Sequence, residues 1–500
     1  MANIQLMRGR LLFACSLVFT LLLLLDPPAA ARLPGEVQEI IAQNRPSSVA
    51  EFDIQSLIDE FSALLYPYNS FVDEPVLLEV ESEAPYPKPS ITREEAFQDV
   101  DFLFSLLKYG YAAYQYFGGD VGFQEARKKI EADLEEQSFP LSAAKFIQIL
   151  VNRLDLINDG HFAIGSSVLV KPKSMYMNME HEFHRDHIGY YLQGETDRVY
   201  LKSVKGQHPE NFMWPSLNDS GAVVYRLGML EPTGQRELTV KAVLQDHQGQ
   251  NICLTLTELL GSYVYGASIY ERYEVEGLPV ISVKRFPSWP VDRRDYVLMQ
   301  DFFMEAYDLR NEPAIILDLR SHRGGDDNQG YSWIRNFTGM PFGKPAHLKA
   351  PLRTATAEKL RSLDMERSQH VLHEFYERVS RPSTSSWGEI EVYLPELIEN
   401  DTVVVVLTDR RTASGGEHFL DALRHLENVV IMGTNTAGCM LGNSAQTQLP
   451  NSKVQVTLGV SLRLPLDLVH REGVGLLPDF WVPPRQALDF AVKFIQNYVR

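Results

Sequence analysis

The chain has 500 residues, 45% hydrophobic and 22% charged, a globular composition that excludes a disordered, collagen-like or coiled-coil chain. Its 47 Lys+Arg against 65 Asp+Glu give a formal net charge of −18, which suits general binding to a phosphate backbone poorly. Three cysteines, Cys15, Cys253 and Cys439, are too few for a disulfide-built scaffold, so the core must come from packing.

Residues 1–31 read as an address. Arg8 and Arg10 give a positive start, Leu11 to Leu25 is apolar apart from Ser16 and Thr20, and Ala29 to Ala31 supplies small residues for cleavage. That is the pattern of a secretory signal peptide, and the apolar run is short for a spanning helix. The expected location is secreted or in the cell envelope, with membrane contact only through an uncleaved signal. After cleavage Cys253 and Cys439 remain, and sequence leaves their pairing open.

Residues 32–90 form an N-terminal segment with an amphipathic stretch at Val49–Leu65 and a Pro-rich linker from Tyr66 to Pro89. Residues 91–165 read as a helical domain. Ser90 or Thr92 caps its first helix, and Phe97, Val100, Leu103, Phe104 and Leu107 keep one face apolar. Further helix is expected at Phe123–Glu136 and Ser142–Leu156. Residues 166–276 alternate apolar and polar positions, as in Val199–Val204 and Leu238–Val243, and read as a β-rich domain.

From 277 to 500 the pattern is α/β. Strands are expected at Pro279–Val283, Ala314–Leu319, Val403–Leu407, Asn428–Gly433 and Val454–Val460, with helices at Tyr296–Tyr307 and Glu417–Leu426. The run Val403 to Leu407 marks a central strand covered on both faces. Phe480 to Val482 reads as a last edge strand. Residues 346–399 are charged and are expected to be a helical insertion.

Four features carry chemistry. Thr412-Ala413-Ser414-Gly415-Gly416 is a strand-to-helix turn, where helix N–H groups favour an oxyanion beside the serine; alone, the turn reads first as a helix cap. Asp318-Leu319-Arg320 followed by Gly324-Gly325 can present backbone donors. Asn158-Asp159-Gly160-His161 ends a helical region with a candidate base. Glu472 precedes Gly473-Val474-Gly475-Leu476-Leu477-Pro478-Asp479 and is a candidate to orient a histidine; alone, it reads as a surface carboxylate. Cys439 in its Gly loop reads as a small packing residue. His181, His184 and His187 lack the H-E-x-x-H spacing, so neither metal nor cofactor is expected.

Taken in this order, the four features resemble the tail-specific, or carboxyl-terminal processing, serine peptidases. The resemblance covers roughly 91–165 and 277–490. It implies an α/β fold with a Clp-protease/crotonase-like core, an N-terminal helical domain and a β-rich middle segment. Many members carry a PDZ domain in that middle part, and none is read here. Bacterial members place a lysine after the glycine of G-x-x-T-x-G, whereas Cys439 follows Gly438 here. The chain is therefore more similar to the lysine-lacking branch of the tricorn core protease and the retinoid-binding-protein repeats. The resemblance implies Ser414 as nucleophile, His161 as base and Glu472 as helper, with an oxyanion hole from Gly324 or Gly325 and Gly415. Gly160 stands where tricorn-type members can have a serine, and His322 replaces an asparagine. The implied activity is that of a secreted serine endopeptidase with a peptide or protein substrate and no nucleic-acid partner. The alternative is a non-catalytic relative that binds peptides or apolar ligands in the same cleft. Oligomeric state is not legible.

Overall fold

The computed structural model describes residues 33–45, 53–68, 80, 86–194, 197–245, 251–260, 268–287, 292–341, 344–367 and 386–499. The signal-peptide reading of residues 1–31 and most of the Pro-rich linker lie outside these.

A six-stranded sheet forms the centre. Its order is Tyr270–Val275, Leu278–Val283, Ala314–Asp318, Val403–Thr408, Val429–Gly433 and Phe480–Trp481. The first two strands form an antiparallel hairpin around Glu276 and Gly277, and the remaining pairs are parallel. Val403–Thr408 is buried at every position. Val404 and Val406 pack into one apolar cluster with the helices Arg293–Leu309, Asn328–Thr338 and Gly415–Leu423, while Val403, Val405 and Leu407 pack into another with the C-terminal helix Ala487–Tyr498. A strand covered on both faces has no polar side, hence the unbroken valine run. Helices thus cover both faces of a mostly parallel sheet, as an α/β core requires.

Between residues 91 and 165 the described helices are Arg93–Gly110, Gly119–Glu135 and Ala143–Arg153. Thr92 is the cap of the first. Its side chain accepts from Glu95 N, and the Glu95 carboxylate accepts from Thr92 N in return. Their apolar faces share one cluster with residues 346–363 and 441–466, so this unit is packed onto the later chain.

The β-rich segment is a closed barrel. Strands Lys173–Met177, Asn251–Glu258, Leu238–Gln245, Arg198–Val204, Tyr190–Gln193, Phe183–Arg185 and Val223–Pro232 follow one another, and Lys173–Met177 pairs back onto Val223–Pro232. Closure removes free edges, and side chains including Phe183, Leu201, Tyr225 and Leu254 fill the interior.

Residues 346–399 hold more than the expected helix. Strands His347–Pro351 and Glu391–Tyr393 flank a helix at Ala355–Arg367, and His347–Pro351 pairs with Ser461–Pro465. The pairing partner lies over 100 residues downstream, beyond the reach of local patterning.

Candidate active site

The parallel strands of the central sheet end together, and the loops beyond Asp318, Thr408 and Gly433 meet there. In open α/β sheets this edge is the usual ligand position. Ser414 sits between Val403–Thr408 and the helix Gly415–Leu423, with φ 52° and ψ −121°. It occupies the cap position, and its hydroxyl lies 3.0 Å from His161 Nε2.

Glu417 holds this turn. It is fully buried, and its carboxylate accepts from Ser414 N at 2.9 Å, Cys439 N at 2.9 Å, Gly438 N at 2.8 Å and Thr436 Oγ1 at 2.6 Å. One carboxylate thereby joins the serine turn to the loop after Gly433. Burial pushes the Glu417 carboxyl up, opposed by these donors. The S-x-x-E spacing of Ser414-Gly415-Gly416-Glu417, that of a capping box, is the sequence signal for Glu417.

His161 arrives from the helical unit. The strand Ala163–Ile164 just after it pairs with Gln455–Gly459, which fixes the turn to the later chain. Asp159 is buried; its Oδ1 accepts from His161 N at 2.7 Å, and its Oδ2 accepts from the Tyr111 hydroxyl at 2.7 Å. Burial lowers the pKa of His161 while Asp159 opposes the shift. The imidazole is therefore neutral at neutral pH, the state a proton acceptor needs. Among the described residues His161 Nδ1 has no hydrogen-bond partner.

Glu472 lies in the same network but not on the ring. Its Oε2 accepts from Gly160 N and its Oε1 from Met440 N, both at 2.6 Å. It joins the backbone of the His161 turn to the loop at 440. Burial and the nearby Asp159 push its carboxyl well above the usual range.

The three glycines differ. Gly324 donates its N–H to His322 Nδ1 at 3.0 Å, so that amide is engaged. Gly325 and Gly415 have no hydrogen-bond acceptor for their N–H among the described residues. Their backbones are in contact, since a Cβ on Gly415 would lie 2.5 Å from Gly325 O. Gly325 has φ 112°, and a Cβ there would lie 1.6 Å from Phe286 O, so only glycine fits. His322 is fully buried with its ring edge-on to Phe286, and burial lowers its pKa to about 3. Beneath the loop Asp318 and Arg320 form a buried two-point ion pair, with both contacts at 2.8 Å.

Residues 281–481 match the model of peptidase family S41. Over these residues the chain is similar to the tail-specific serine peptidases of that family. No curated protein matches the chain in sequence. Among solved structures it is similar to mature CPAF complexed with lactacystin, at 15% identity over 81% of this chain and 98% of that one, with a TM-score of 0.42. It is also similar to the photosystem II D1 C-terminal processing protease, at 14% identity over 78% and 93% with a TM-score of 0.33. The tricorn protease gives 12% identity over 79% of this chain and 35% of that one, with a TM-score of 0.33.

Against the S41 motifs, Cys439 stands in the position of the bacterial lysine. Its thiol is pushed well above its usual range, first by burial and then by Glu472, Glu417 and Asp159. A thiol held protonated is a weak nucleophile. Cys439 and Cys253 are both free thiols. Among the described residues no three His, Cys, Asp or Glu side chains are grouped to hold a metal, and His181 instead bonds Asn178 through Nδ1. No helix among them is long and apolar enough to cross a membrane.

Proposed function

We propose that this chain is an extracytoplasmic serine endopeptidase of the lysine-lacking S41 type, with Ser414 as nucleophile, His161 as general base and Glu472 as the residue that holds the histidine turn. The contact between Ser414 Oγ and His161 Nε2 at 3.0 Å carries the reading. A serine hydroxyl is a weak nucleophile at neutral pH, and a neutral imidazole in hydrogen-bond reach takes its proton as the oxygen attacks the peptide carbonyl. The free N–H groups of Gly325 and Gly415 are the donors offered to the tetrahedral oxyanion. Loss of one such donor typically lowers the rate about 10²–10³-fold. The imidazolium then returns its proton to the leaving amine, and water resolves the acyl-enzyme by the same route. Extracytoplasmic location rests on the leader-like residues 1–31, and a peptide or protein substrate follows from the family.

The test is covalent labelling. The purified protein without residues 1–31 is treated with a fluorophosphonate probe, in parallel with Ser414→Ala and His161→Ala. We expect labelling of the wild type, none of Ser414→Ala and a large loss in His161→Ala. An unlabelled wild type, or labelling that persists in Ser414→Ala, defeats the assignment.

A further inference from the structure

Asn158 opens the turn that carries His161, and its side chain crosslinks the loops around the site. Its Oδ1 accepts from Lys171 N at 2.6 Å. Its Nδ2 donates to Glu472 O at 3.3 Å and lies 2.9 Å from His470 Nε2. The two backbone partners fix the amide, since an N–H needs its oxygen and a carbonyl needs its nitrogen. The NH2 group therefore faces the histidine, and it can only donate. His470 Nε2 must offer a lone pair, so the ring proton of neutral His470 sits on Nδ1, 3.1 Å from the Tyr116 hydroxyl oxygen. Tyr116 and Phe117 lie between the helices Arg93–Gly110 and Gly119–Glu135, and the Phe117 ring stands edge-on to the imidazole at 5.9 Å. One half-buried histidine thus ties the helical unit to the His161 turn, from the loop that also carries Glu472.

Resting on the Ser414–His161 reading, we infer that His470, in its neutral Nδ1–H form, is a positioning residue for the His161 turn, and that protonating it releases Asn158 and slows the reaction at Ser414.

The reason is the count of donors. A second proton on the ring sets an N–H against the Asn158 N–H, and the bond between them is lost. The turn keeps its contacts to Glu472 and Asp159, so it loosens rather than unfolds. Around the imidazole stand Tyr116 from the helical unit, Asp159 from the turn, and Lys171, whose ammonium donates to Asp155 O. On its own loop are Glu472 and Arg471, the latter paired with Asp467. Burial lowers the His470 pKa, opposed by Asp159 and the Asn158 backbone. The folded-state value lies below the reference value, so the bond is present at neutral pH and is lost as pH falls through the folded value.

Two measurements test this. The first is the long-range proton–nitrogen NMR spectrum of the His470 ring at neutral pH in a Ser414→Ala background. It is assigned against His470→Gln, or against His470→Asn where the glutamine variant does not fold. We expect a proton on Nδ1 and none on Nε2; a proton on Nε2 overturns the inference. The second is the fluorophosphonate labelling rate against pH in the wild type and His470→Gln, whose side-chain oxygen accepts from Asn158 without titrating. His161 titrates in both, so their ratio isolates His470. The ratio of His470→Gln to wild type should rise by up to about tenfold per pH unit below the His470 midpoint. A ratio constant with pH overturns the inference. His470→Phe removes the acceptor and should label more slowly than His470→Gln at neutral pH; equal rates overturn it as well. If the wild type does not label, the peptidase reading fails, while the NMR spectrum still decides whether His470 holds Asn158.

Discussion

Ser414 holds a backbone conformation, φ 52° and ψ −121°, that a non-glycine residue keeps only when its surroundings fix it. Such a residue stores on the order of 1–3 kcal/mol of strain. Here Glu417 accepts its N–H and Gly416, Glu417 and His418 make the first helical hydrogen bonds. The strain aims the hydroxyl at His161. Gly160 meets a different constraint. A Cβ there would lie 2.8 Å from Cys439 Cβ and 2.9 Å from its sulfur. The residue at 439 therefore leaves no room for a side chain at 160. Gly160→Ser is expected to destabilise the fold by about 1–3 kcal/mol, the usual result of overpacking. Adding Cys439→Gly should recover part of that loss, with a coupling energy of about 0.5–3 kcal/mol in a urea-denaturation cycle. Additive losses would show that the two positions do not compete for space.

At the scale of an element, the loop from Leu319 to Asp327 is organised around a buried histidine. His322 Nδ1 accepts from Gly324 N, and His322 O accepts from Ala413 N beside the serine. Its pKa falls from 6.5 in the reference state to about 3 when folded, first through burial and then through Lys284. The unfolded chain thus takes the proton more readily. The stabilisation is fully present above pH 6.5 and is lost as pH falls toward 3. His322→Asn keeps an acceptor for Gly324 N and removes the titration. Between pH 7 and pH 5 the wild type should therefore lose stability relative to His322→Asn, by up to about 2 kcal/mol at 1.36 kcal/mol per pKa unit. Urea denaturation at the two pH values measures this, and a constant difference would show that His322 is not held neutral by the fold.

Across the whole molecule the site is a junction. His161 comes from the helical unit, Ser414 from the central sheet and Glu472 from the C-terminal loops, while the barrel meets the same loops from outside. Arg410 ties this last contact, with Nη1 donating to Lys173 O of the barrel at 2.5 Å and to Gly473 O at 3.0 Å. Asn435 Nδ2 adds Val474 O at 2.6 Å and Lys173 O at 3.1 Å. Arg410→Ala is expected to leave the central sheet intact, to raise amide hydrogen exchange in 171–177 and 471–475, and to slow fluorophosphonate labelling through loss of order around Glu472. Unchanged exchange in those segments would mean that the barrel does not brace the site.

Local physics was legible throughout the sequence. The valine run marked the central strand because both of its faces are buried. The Thr92 cap announced the first helix of the helical unit, and the S41 motifs marked the loops at the strand ends. The family resemblance, rather than spacing alone, pointed to Ser414 and His161, whose side chains lie 3.0 Å apart. Only the tertiary structure decided how buried groups share partners. Closure of the barrel and the pairing of His347–Pro351 with Ser461–Pro465 join segments whose contact no local period encodes. Gly324 looked equal to Gly325 until His322 took its amide. Glu472 looked like the partner of an imidazole until both its oxygens were found on backbone N–H groups. The reason is common to these cases. Backbone patterning records which side chains are buried, whereas a hydrogen bond depends on which donor and acceptor the completed fold brings within about 3 Å.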